Sequence, residues 1–105
     1  MTDVRTVYVT TGSEVEARAI ARTLLEERLI ACANILPRMQ SLYRWEGDVQ
    51  EDEEVAMLLK THAKLVEGVV ARVEALHAYD VPCVVAWPVD VGAYAYLAWV
   101  RAETA

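Results

Sequence analysis

The stretch that decides the fold runs from Met39 to Lys60 and reads MQSLYRWEGDVQEDEEVAMLLK. Its first half interleaves Tyr43 and Trp45 with polar Gln40, Arg44 and Glu46, the pattern of a strand. Gly47-Asp48 is a two-residue hairpin signal. With those two residues as the loop, Glu46 faces Val49 and Arg44 faces Glu51, an opposite-charge pair across the strands. The return ends in Val55-Ala56-Met57-Leu58-Leu59, apolar on both faces, which predicts a central strand. Arms of about ten residues exceed the usual strand of about 5–6, so the hairpin tip is predicted to overhang its sheet.

Working outward, Val7-Tyr8-Val9-Thr10-Thr11 reads as a first strand, broken by Gly12. Ser13 and Glu16 have the spacing of a capping box. Ala17, Ile20, Ala21, Leu24 and Leu25 then fall on one helical stripe, predicting a helix to about Arg28 or Leu29. The apolar segment Ile30–Leu36 is stopped by Pro37. Beyond the hairpin, Thr61 is expected to cap a second helix carrying Leu65, Val69, Val73 and Leu76. Pro82 forbids its continuation. Val84–Trp87 is the fourth strand, and Ala93–Glu103 a last helix with apolar residues on more than one side. The order β-α-β-β-α-β predicts an α+β, ferredoxin-like fold with a long β2–β3 hairpin and an extra C-terminal helix. Residues 1–105 are expected to form a single domain.

Composition removes whole classes of function. Ten basic against sixteen acidic residues give a net charge of −6, the wrong sign for neutralising nucleic-acid phosphates or docking on an anionic membrane. No apolar run reaches the ~20 residues that span a bilayer. Met1–Arg5 has no basic segment leading into an apolar one, so a cytoplasmic location is expected. Asn34, Gln40 and Gln50 are the only side-chain amides, a scarcity that fits a heat-stable protein. Hydrophobic residues make up 55 % of a short chain that cannot hide them all by itself. The overhanging hairpin and the two-faced last helix both want a partner, and closed cyclic assembly meets that need.

Function must come from sites rather than from the fold. Two cysteines are too few for an iron–sulfur cluster. No CxxC loop follows the first strand, where Thr10-Thr11-Gly12-Ser13 stands instead, and no glycine loop would cradle phosphate. His77 and Cys83 flank the turn into the fourth strand. Together they form a candidate site for copper or zinc, weak in one protomer and tighter where subunits meet. The competing reading has His77 ending a helix and Cys83 packing in a strand. The acidic run Asp48, Glu51, Asp52, Glu53 and Glu54 reads as a solvated strand that discourages edge pairing. Lys60 is a candidate half-buried amine in a subunit cleft. No nucleophile–base–acid set is legible, so no enzyme activity is expected.

Five motifs in order carry a resemblance. Ala31-Cys32-Ala33-Asn34, Tyr43-Arg44-Trp45-Glu46-Gly47, Leu59-Lys60-Thr61, His77-Ala78-Tyr79-Asp80-Val81-Pro82 and Tyr96-Leu97-Ala98-Trp99 resemble the CutA family of divalent-cation tolerance proteins. The resemblance implies a ferredoxin-like homotrimer, similar in architecture to the PII signalling proteins, with a cytoplasmic role in tolerance to divalent metals, chiefly copper. It also marks departures: Ala78 stands for the family's proline, Cys83 for its glutamate and Asp48 for its lysine. The cysteine and paired histidines of relatives with a proposed copper site are replaced by Val9, Thr10 and Leu76. Three expectations follow. The first is a trimeric metal-tolerance protein that binds divalent metal, copper or zinc, loosely. The alternatives are a PII-like sensor taking a small metabolite in inter-subunit clefts lined by Tyr43, Trp45, Lys60, Tyr79 and Trp99, or a structural trimeric scaffold.

Overall fold

Four strands and three helices alternate along the chain. The computed structural model describes residues 2–105. Strand β1 spans Val4–Thr11, helix α1 Glu14–Glu26, strand β2 Cys32–Trp45 and strand β3 Asp48–His62. A single 3-10 turn, Ala63–Leu65, leads into helix α2, Val66–Leu76. Strand β4 is Val84–Pro88 and helix α3 is Tyr94–Glu103. The sheet is antiparallel in the order β2-β3-β1-β4, the ferredoxin-like arrangement with β3 inside the sheet.

Alternation along the strands divides the sheet into two faces. Val7, Val9, Val55, Met57 and Leu59 point toward α1 and α2. There they meet Ala17, Ile20, Ala21, Leu24, Val69 and Val73 in one buried cluster. On the opposite face α3 covers one end only, packing Leu97 and Val100 against Val4 and Ala31. The rest of that face has no helix over it. Val85 and Trp87 are exposed there, and the Tyr8 ring lies 6.1 Å from that of Trp87.

The hairpin overhangs as expected. Strand β1 pairs with β3 only from Val55 to His62, so the Asp48–Glu54 part of β3 pairs with β2 alone. The turn differs by one residue from the expectation. Trp45 pairs with Asp48 and Arg44 with Val49, which makes Glu46-Gly47 the loop. Both loop residues have positive φ, 50° and 88°, the requirement of a type I′ turn, and glycine meets it best at the second position. This register puts Met39, Ser41, Tyr43 and Trp45 on the same face as Glu54, Asp52 and Gln50, the face away from α1 and α2.

Three other boundaries moved, each for a local reason. Pro37 does not stop the strand, because β2 is an edge strand and a bulge between Leu36 and Met39 absorbs it, with Arg38 at φ 53°. Helix α1 ends at Glu26 because Arg28 turns left-handed at φ 60°. The Arg28 and Leu29 amides then bond the Leu25 and Leu24 carbonyls, a Schellman ending built without glycine. Thr61 caps no helix. It lies fully buried in β3, and its hydroxyl donates to the Leu29 carbonyl at 2.8 Å, tying β3 to the end of α1.

Candidate functional site

The long hairpin and the α2–β4 loop enclose a half-open cleft of about 570 Å³. Tyr43 and Trp45 reach it from β2, Glu54 from β3 and Thr10 from β1. Tyr79, Asp80 and Cys83 enter from the loop. The loop runs this way because Pro82 and the end of α2 prevent a helical continuation. The three aromatic residues remain about two-fifths exposed.

Their hydroxyls are fixed. The Tyr79 hydroxyl donates to Glu54 Oε2 at 2.9 Å, and the Tyr43 hydroxyl donates to Asp52. Burial, then the hydrogen bond and charge of Glu54, hold the Tyr79 phenol well above its ordinary pKa. The hydrogen bond to Asp52 raises Tyr43 in the same sense. Burial pushes the Cys83 thiol up as well, with the Glu54 charge adding to it, so this sulfur is a protonated thiol at neutral pH.

His77 does not line the cleft but packs against Tyr79, their ring centroids 4.6 Å apart. Its side chain is wholly inaccessible. Nε2 donates to the Thr10 carbonyl at 2.7 Å, and Nδ1 accepts the Tyr79 amide at 3.1 Å. A carbonyl can only accept and an amide can only donate, so the ring is the singly protonated Nε2–H tautomer. Glu16 Oε2 comes within 3.5 Å of Nδ1. That approach is not an ion pair, because the Nδ1 lone pair is already used. Glu16 instead accepts the Ala78 amide at 2.8 Å and the Gly12 amide at 3.2 Å. Ser13 accepts the Glu16 amide as a capping box requires, but the Glu16 carboxylate turns outward and pins the cleft loop to β1 and α1.

One protomer brings Tyr43, Trp45, Tyr79 and Cys83 together and leaves Lys60 and Trp99 elsewhere. Lys60 lies six residues beyond Glu54 on β3, about 20 Å at ~3.3 Å per residue. The Trp99 ring sits 5.7 Å from Tyr96, whose hydroxyl meets the Cys32 sulfur at 3.3 Å. Burial first, and then that contact, push the Tyr96 phenol up to about 12. The residues fit a metal poorly. Both His77 nitrogens are occupied, and no three or more His, Cys, Asp or Glu groups cluster as a metal site among the described residues. Sequence reasoning missed Glu54, Asp80 and Thr10 as lining residues, and Glu16 as a tether. Strand alternation alone puts Glu54 on the Tyr43 face, because moving the turn from Gly47-Asp48 to Glu46-Gly47 shifts the pairing by two residues and keeps the faces.

A family model described as CutA1 divalent ion tolerance protein matches residues 5–103. The chain belongs to the CutA1 family. It is 48 % identical over 98 residues to the divalent-cation tolerance protein CutA of Thermus thermophilus, covering 93 % of this chain and 95 % of that protein. It is 43 % identical over 101 residues to human protein CutA, covering 96 % of this chain but 56 % of the human protein. The chain thus spans a little over half the length of that relative. The crystal structure of CutA from Xylella fastidiosa superposes with a TM-score of 0.96 at 38 % identity, covering 99 % of this chain and all of that one. The CutA1 family is thereby described by tolerance to divalent ions, and the cleft of this CutA1 chain has room for a small ligand.

Proposed function

We propose that this chain works as a cytoplasmic homotrimer in tolerance to divalent metals, copper among them, by sensing a small metabolite rather than by catalysis or metal storage. The family match supports the tolerance role. The observation that carries the sensing part is the cleft of about 570 Å³, a volume in the usual range for small-molecule sites. Assembly has its own support. The open sheet face exposes Val85 and Trp87, and Leu36 and Leu42 are exposed on the edge strand β2. Exposed apolar residues on both edge strands support contact with further copies of the chain. A trimer would set the cleft of one subunit beside the hairpin of the next.

A thermal-shift screen of metabolites and nucleotides tests the reading, because a ligand at 100 times its Kd adds about 2.7 kcal/mol of stability. A stabilising metabolite is expected, together with no tight copper site in calorimetry. A tight copper site abolished by Cys83→Ala, with no metabolite stabilising the protein, would overturn it.

A further inference from the structure

The cleft carries a consistent chemical bias. Trp45, Tyr43 and Tyr79 offer aromatic faces, Glu54 and Asp80 supply negative charge, and no lysine or arginine of the same protomer lines it. Its hydrogen-bonding polarity runs the same way. The Tyr79 and Tyr43 hydroxyls spend their single protons on Glu54 and Asp52, so each phenol oxygen is left with lone pairs only. A ligand entering here meets acceptors and few donors. The field agrees with the geometry: burial raises Tyr8, Tyr79 and Cys83 most and the Asp52 hydrogen bond raises Tyr43 most, and the Glu54 charge pushes all four in the same direction. Beyond the cleft, a net charge of −6 draws cations toward the molecule.

We infer that the cleft selects a small organic cation, an ammonium or guanidinium group on an apolar or aromatic body, over anionic metabolites such as nucleotides. This inference rests on the reading of the cleft as a ligand site and adds the class of ligand. The cation's N–H groups would donate to Glu54 and the phenol oxygens, while its body lies against Trp45 and the tyrosine faces, where cation–π attraction is available. A bare metal ion matches less well, because the carboxylates do not converge as ligands and aromatic faces add nothing to its coordination.

Three probes of one shape separate the possibilities: phenethylammonium, neutral 2-phenylethanol and anionic 3-phenylpropionate. Each is titrated into the full chain at neutral pH while the Trp45 indole N–H is followed by NMR, its signal assigned with Trp45→Phe. The expected order is ammonium first, at least tenfold tighter than the alcohol, and carboxylate last, with the ammonium affinity falling as salt rises. Glu54→Gln keeps an acceptor for Tyr79 and should narrow the ammonium–alcohol gap by weakening the ammonium more than the alcohol. Asp80→Asn, at an exposed position, serves as the second variant if the first disturbs folding. Equal or tighter binding of the alcohol or the carboxylate overturns the inference and leaves the ligand cleft standing. An ammonium preference untouched by both variants overturns it too. Silence of Trp45 toward all three probes removes the ligand cleft itself, and the inference with it.

Discussion

Replacing His77 distinguishes a structural histidine from a metal ligand. The ring is fully buried and holds two backbone groups, the Thr10 carbonyl through Nε2 and the Tyr79 amide through Nδ1. His77→Leu keeps most of the volume and satisfies neither group. Orphaning the Thr10 carbonyl in a buried setting costs about 1–3 kcal/mol. The Tyr79 amide adds less, because its residue borders solvent. The expected loss for His77→Leu is therefore about 2–4 kcal/mol, well above the median surface substitution. His77→Gln can still donate to the Thr10 carbonyl and should recover a good part of that loss. Urea unfolding followed by circular dichroism measures both variants at one fixed protein concentration, because assembly makes stability depend on concentration. Copper calorimetry on His77→Gln runs alongside, with no change in affinity expected. The reasoning fails if His77→Leu falls within about 0.5 kcal/mol of the parent, or if His77→Gln keeps its stability and loses copper.

Three further outcomes follow from the same structure. Tyr79 is raised in the folded chain, so the folded state keeps its proton where the unfolded state has lost it. That contribution is complete below a pH of about 10 and is lost as pH climbs beyond it; alkaline unfolding curves of Tyr79→Phe should therefore fall less steeply than the parent's. Cys83 is also raised, so peptide-mapped alkylation by iodoacetamide should be slower than for a small free thiol at the same pH, and faster in Glu54→Gln. In the hairpin turn, Gly47 has φ 88° and open space where a Cβ would stand, so Gly47→Ala should cost about 1 kcal/mol through backbone strain alone, read from the urea midpoint.

Much of the fold was legible in the periodicities. Val69 and Val73 at helical spacing do line the core, and Val55–Leu59, apolar on both faces, does run inside the sheet. Failures came where a residue acts against its usual preference. Arg28 takes a left-handed turn that glycine normally marks, so α1 stops earlier than its stripe indicates. Thr61 looks like a cap but serves a buried carbonyl contributed by a distant loop. At the site, Tyr43, Trp45 and Tyr79 were reached through the family resemblance rather than from any local pattern. Glu54 was hidden in an acidic run whose members all read as solvated charges, although either placement of the turn puts it on the Tyr43 face. The tasks of His77 and Glu16 depend on chain segments about sixty residues apart, and no local pattern encodes them.

The mass of the native assembly tests the account most directly. The open sheet face, with Trp87 and Val85 unprotected, and the overhanging hairpin both call for neighbouring copies of the chain. Native mass spectrometry at micromolar concentration should give a single species at three times the 11.7 kDa chain mass. A species of one chain mass would contradict the trimer, and with it the expectation that Lys60 and Trp99 line a cleft between subunits.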